Sequence, residues 1–145
     1  RHVAALFHIK PTMQPIPASR VIYAIVPAGA GKGTRILFPI DKFLLDKKVV
    51  AVETYNAGQQ PTAPNGSAVV TAADAGVITI TLLRNSFEIH HEIPNNLLNT
   101  LSLFGLYKTM PPTLIDWNSS YVKVTDTLAV GTAFVVPLIV HYLPE

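Results

Sequence analysis

The stretch VPAGAGKGTRILFPI, residues 26–40, separates two fold classes. Its middle reads like a phosphate-binding loop, which requires G-x-x-x-x-G-K-[ST] at the mouth of a helix. Here Val26 stands where the first glycine belongs, and Lys32 is followed by Gly33 before Thr34 arrives. A phosphate loop also needs the helix N-terminus behind it, for its free N–H groups and positive dipole end. The next residues are RILFPI, β-branched and aromatic, with Pro39 close behind, and proline breaks a helix at that distance. The glycines therefore read as a turn with unusual dihedrals. It joins the β-rich run RVIYAIV (20–26) to RILFPI (35–40), as a hairpin with a long tip.

The same reading extends along the chain. VVAVETY (49–55) is a strand, and NAGQQPTAPNGS (56–67) is a polar surface loop. DKFLLDKK (41–48) is one turn of helix or a loop, and AVVTAADAG (68–76) a short strand and a turn. VITITLLR (77–84) alternates, with Ile78, Ile80 and Leu82 on one face. FEIHHEI (87–93) alternates as well, placing Phe87, Ile89, His91 and Ile93 inward and Glu88, His90 and Glu92 outward. The intervening Arg84, Asn85 and Ser86 make a tight turn, so these two strands pair. Residues 94–112 show weak helical spacing at Leu97, Leu98, Leu101 and Phe104 or Leu103, which reads as a short helix or a loop with apolar anchors. TLIDW and SYVKVTD are strand-like, and TAFVVPLIVHYL (132–143) closes the chain, apolar on both faces, as a central or interface strand. About eight strand-like runs with little helix, and no strand–helix–strand alternation, predict an all-β chain folded as a single β-sandwich. Residues 1–17, with prolines at 11, 15 and 17, form an extended N-terminal arm, and residues 18–145 form the sandwich domain.

The chain has 145 residues, 49% of them hydrophobic and only 14% charged, against about 25% charged in an average domain. So few charges cover a lone subunit poorly, and the surplus apolar surface is expected to meet other copies. The net charge of +2 is spread thinly, with Lys47–Lys48 the only adjacent basic pair, so no nucleic-acid stripe is visible. Cysteine is absent, which excludes disulfides, thiolate metal sites and a cysteine nucleophile. Arg1 is not a start methionine, so further residues are expected before it, and no signal peptide is visible. The longest uncharged apolar run, residues 128–143, falls short of the ~20 residues of a membrane helix and contains Gly131 and Pro137, so no membrane span is expected.

Catalytic and metal chemistry find little purchase. His90 and His91 are neighbours in a strand and point to opposite faces. Glu88, His90 and Glu92 share a face, but any polar strand face looks the same, and His91 reads as a core histidine. His2, His8 and His141 are isolated, and no G-x-S-x-G elbow exists. In IDW, Trp117 is expected to fill core and Asp116 to bind local backbone N–H groups. No enzyme, metal or cofactor is predicted.

Three ordered segments carry a resemblance: LFPIDKFLLDKKVVAVETYN (37–56), IPNNLLN (93–99) and IDWNSSYVKV (115–124). Together they resemble small β-sandwich structural proteins of bacteriophages. In those, a P-x-x-x-x-L-x-x-K-K-I/V run enters a strand and an IDW-x-x-SY segment comes late. Here the first run is Pro39, Leu44 or Leu45, Lys47, Lys48 and Val49; the second is Ile115, Asp116, Trp117, Ser119 or Ser120, and Tyr121. The resemblance implies a jelly roll, an eight-stranded sandwich with loops gathered at its ends. It also implies a capsid or vertex subunit of a virion that self-associates by symmetry beside other virion proteins.

The expected subunit contacts are the arm, the glycine tip at Gly29–Gly33 and the last strand. By residue they are Phe7, Ile9, Ile16, Phe134, Val136, Leu138, Val140 and Tyr142. The alternative is a carbohydrate- or ligand-binding sandwich module, with Tyr55, Trp117 and Tyr121 as stacking aromatics.

Overall fold

A computed structural model describes residues 16–84, 87–100, 108–128 and 132–144. Within them lie eight strands: β1 (Ala18–Val26), β2 (Arg35–Leu37), β3 (Lys48–Thr54), β4 (Ile78–Arg84), β5 (Phe87–Pro94), β6 (Lys108–Leu114), β7 (Tyr121–Val124) and β8 (Phe134–Tyr142). Among the described residues helix is confined to single turns: 3₁₀ turns at Lys42–Leu44 and Asn95–Leu98, and α1 (Ala72–Ala75), capped by Thr71 Oγ1 accepting from the Asp74 N–H. The chain is all-β, as predicted.

The strands form two four-stranded antiparallel sheets, in the orders β1-β8-β3-β6 and β2-β7-β4-β5. Of the consecutive strands only β4 and β5 are neighbours in a sheet; every other connection crosses from one sheet to the other. The predicted β1–β2 hairpin is therefore not formed. β1 pairs with β8 from Ala18↔Tyr142 to Val26↔Phe134, and β2 pairs with β7, so the glycine stretch is a crossover between sheets. Two apolar runs flanking glycines are the pattern of either connection, and the hairpin expectation had nothing else to go on.

β8 is central. Phe134, Val136, Leu138, Val140 and Tyr142 are buried in the core with Ile22, Val26, Val52, Ile78, Ile80, Leu82 and Trp117. Each fully buried aliphatic side chain of this size contributes about 1.5–3 kcal/mol. A proline is rare in a central strand because it cannot donate to a ladder. Pro137 escapes that cost by register: β3 ends at Thr54 opposite Leu138, so Pro137 lies just past the last β3 pair. Beyond it, the residue 68–70 segment takes over, with Val70 donating to the Val135 carbonyl and Val135 to that of Ala68, both at 2.9 Å. This segment makes isolated bridges rather than the short strand predicted for it.

β6 was not predicted. Its sequence KTMPPTL carries Pro111 and Pro112, which argue against a strand interior, yet β6 lies at a sheet edge and its register with β3 shifts between Val49↔Thr113 and Ala51↔Thr109, where the prolines fall. Within residues 94–112, Asn95–Leu98 form a 3₁₀ turn and the strand begins at Lys108; the helical spacing at Leu101 and at Leu103 or Phe104 lies outside the described residues.

β5 departs from simple alternation. Its pairing with β4 shifts register between Ile80 and Leu82 and again between Leu82 and Leu83. Glu92 has φ 44°, the left-handed region, and its N–H donates to Thr81 Oγ1 at 3.0 Å. Such bulges insert an extra residue and flip the faces of the residues after it. His91, expected in the core, is therefore exposed.

Candidate interaction surface

The glycine stretch opens no helix. Gly29 and Gly33 have φ 67° and 89°, which only glycine adopts without strain. The Gly33 N–H donates to the Val124 carbonyl at 2.7 Å, the Val124 N–H returns to Thr34 at 2.9 Å, and Thr34 Oγ1 donates to the Gly31 carbonyl at 2.8 Å. The loop is thereby tied to the end of β7. Beside it a recess of about 280 Å³ is lined by Lys32, Glu92 and Lys123, and the two central charges satisfy each other: Lys123 Nζ lies 3.3 Å from Glu92 Oε2. Glu92 is thus engaged by Lys123; the side chains of Glu88 and His90 lie outside the described residues.

His141 is not isolated. Ser19 Oγ on β1 lies 2.9 Å from its Nδ1, and Glu53 Oε2 on β3 lies 2.6 Å from its Nε2. Thr100 Oγ1 donates to the other Glu53 oxygen at 2.6 Å. These groups join three neighbouring strands on the face turned away from the core. Sequence reasoning missed them because Ser19 and His141 are 122 positions apart and Glu53 and His141 are 88 apart. Nearby, Tyr23 and Tyr55 hydroxyls meet at 3.5 Å, and burial, aided by this contact, raises the Tyr55 pKa.

The polar loop after β3 is anchored rather than loose. Gln59 and Asn99 exchange side-chain amide hydrogen bonds at 2.8 and 2.9 Å, and Asn56 donates its N–H to Gln59 Oε1 at 2.9 Å. Ala63 is buried, and Asn65 Oδ1 accepts from Ser67 N–H at 3.0 Å.

IDW behaves as read. Trp117 is 1% exposed, edge-on to Phe38 with ring centroids 6.0 Å apart. Asp116 accepts from the Asn118 N–H at 3.2 Å and from the Ser119 hydroxyl at 3.1 Å. Tyr121 is buried too, under the Arg35 guanidinium. Two of the three aromatics proposed to stack on a sugar thus face no solvent.

Of the eight predicted contact residues, Phe7 and Ile9 lie outside the described residues, and Ile16 is exposed. Phe134, Val136, Leu138, Val140 and Tyr142 are all inside this chain's own core, so they are corrected from surface to core. The reason is position: a strand apolar on both faces is satisfied by being central.

The surface apolar residues are different ones. Leu37, Ile40, Phe43 and Leu45, around the first 3₁₀ turn, are exposed, as are Ile25 on β1 and Leu114 on β6. Phe43 packs edge-on to Tyr142 at 5.3 Å, with Arg20 and Lys47 over its ring. The Arg20 guanidinium also bridges to Asp41, which ties β1 to this segment. Beside them lies a groove of about 420 Å³ lined by Val21, Tyr23 and Ile25 of β1, Val135 of β8, and Pro39, Ile40 and Asp41. A smaller recess of about 140 Å³ shares Ile25 and Val135 with it. The sequence signal for this surface was the low charge content; the positions needed the sheet order.

No family model, curated protein or solved structure matches the chain. Among the described residues, no helix is long and apolar enough to cross a membrane.

Proposed function

We propose that this chain is a structural subunit of a bacteriophage particle, a capsid or vertex protein that works by symmetric self-association. The strand order supports the reading. The pairs β1–β8, β2–β7, β3–β6 and β4–β5 are those of one long antiparallel ribbon folded into two sheets, which is how a jelly roll is wound. That architecture serves lectins and cupins as well as capsids, so it does not choose the function alone. The observation that carries the choice is the apolar surface beside β1, with Ile25 67% and Ile40 60% exposed in a chain only 14% charged. Exposed apolar residues gathered around a groove mark a contact between proteins. A symmetric shell uses one such patch many times over.

Light scattering on the purified protein, with negative-stain images of anything large, tests this. The expected mass is a multiple of 15.7 kDa, in rings or closed particles. A well-behaved monomer at high micromolar concentration would refute it.

A further inference from the structure

We propose that residues 3–9 of a neighbouring copy add as a strand along the free edge of β1, packing Phe7 and Ile9 into the groove. This deepens the shell-subunit reading and rests on it.

β1 spans nine residues and, among the described residues, pairs on one side only, with β8. Among the described residues no backbone hydrogen bond outside that ladder involves β1. An edge of unpaired N–H and C=O groups is a template for another strand. The groove supplies what such a strand needs besides backbone bonds: apolar side chains along β1, where Val21 and Ile25 line it together with Pro39, Ile40 and, from β8, Val135.

The occupant is legible in the sequence. VAALFHI, residues 3–9, has no proline and is apolar at every odd position, Val3, Ala5, Phe7 and Ile9. Period two puts those four side chains on one face of an extended strand. Arg1–His2 and Lys10–Pro11 bound the run. Extended, it covers about 23 Å, most of the ~30 Å length of β1.

The link explains why the partner is another copy. Folding back along its own β1 needs a reversal within residues 10–17. That stretch holds prolines at 11, 15 and 17, and the chain has no glycine before Gly29. Proline, and the residue before it, favour extended backbone, so an arm reaching a neighbour is the expected arrangement.

The chain has no cysteine, so introduced thiols report cleanly. Full-length Phe7→Cys and mass-tagged full-length Ile25→Cys chains are co-expressed and oxidised mildly. Ile25 is largely exposed, so Ile25→Cys leaves the core untouched. A disulfide needs Cβ atoms within about 4.5 Å. Docking therefore predicts a mixed dimer formed at least about tenfold faster than between Phe7→Cys and Lys123→Cys, on the other sheet, because docking raises the effective concentration. Equal rates would overturn the proposal. So would an internal bond in a monomeric Phe7→Cys/Ile25→Cys double variant, which means docking in cis. Self-coupling of Ile25→Cys as fast as the mixed reaction would mean that a second β1 occupies the edge, and would overturn it too. The mass of the unmodified protein separates the two readings. A multimer without the mixed bond sinks the arm alone; a monomer without it sinks both.

Discussion

β1 and β8 look alike as sequence and differ in what they leave over. Each is nine residues long, each is rich in Val, Ile and other apolar residues, and the two pair along their whole length. β8 has a partner on either side and sets alternate side chains into the core, so little of it remains to contact anything else. Among the described residues β1 has a strand partner on one side only, it lines a groove, and Ile25 stays in solvent. Hydrophobicity therefore does not say whether a strand's partner is inside or outside the chain. Place in the sheet order does, and that place is set by residues more than a hundred positions away.

The contrast is most vulnerable at β8. Leu138→Ala opens a cavity at a fully buried site and is expected to lower stability by about 2–5 kcal/mol. Urea unfolding at several protein concentrations measures it. A cost below about 1 kcal/mol, under the range for a filled core site, would mean that β8 is not the central, core-filling strand described, and the contrast with β1 would fail.

Legibility in the sequence divides along the same line. Alternation in residues 77–93 revealed the β4–β5 pair, because both strands are local and only two residues separate them. The core roles of Ile78, Ile80, Leu82 and Trp117 were legible for the same reason: burial follows period and size. The bulges around Glu92 were not, since an extra residue leaves no compositional trace, and so His91 was put on the wrong face. β6 was hidden by Pro111 and Pro112, which are harmless only at an edge, and edges appear only once the order is known. The Ser19–His141–Glu53 contacts and the groove walls share one cause of invisibility. They join residues from strands whose neighbours no local pattern names.

A smaller effect refines the contrast where the two strands share a face. Tyr23 of β1 stands opposite Pro137 of β8 and reaches the Tyr55 hydroxyl. Burial and that contact raise the Tyr55 pKa in the folded state above its usual value of 10. The sign comes from proton counting. Above about pH 10 the unfolded chain loses the phenol proton first. The folded chain then binds more protons, so stability falls as pH rises from there towards the folded pKa. Tyr55→Phe removes this contribution. The variant should match the parent near neutral pH and lose less stability between about pH 10 and 11. Parallel alkaline declines in parent and variant would show that the Tyr23–Tyr55 contact does not hold the phenol neutral.

The smallest expected effect is the most telling. Ile25→Ala removes the same kind of aliphatic bulk as Leu138→Ala, from a strand of the same length in the same sheet. Ile25 is 67% exposed and has little burial to lose, so the monomer's stability should change by less than about 0.5 kcal/mol. If β1's outward edge were satisfied within the chain, the cost would approach that at Leu138, and the groove would be part of the fold. If it is a contact, the loss appears elsewhere. The concentration at which subunits associate should rise while unfolding in urea, followed below that concentration, stays where it was. Sedimentation and unfolding on one preparation separate the two, because burial against a partner contributes only when the partner is there.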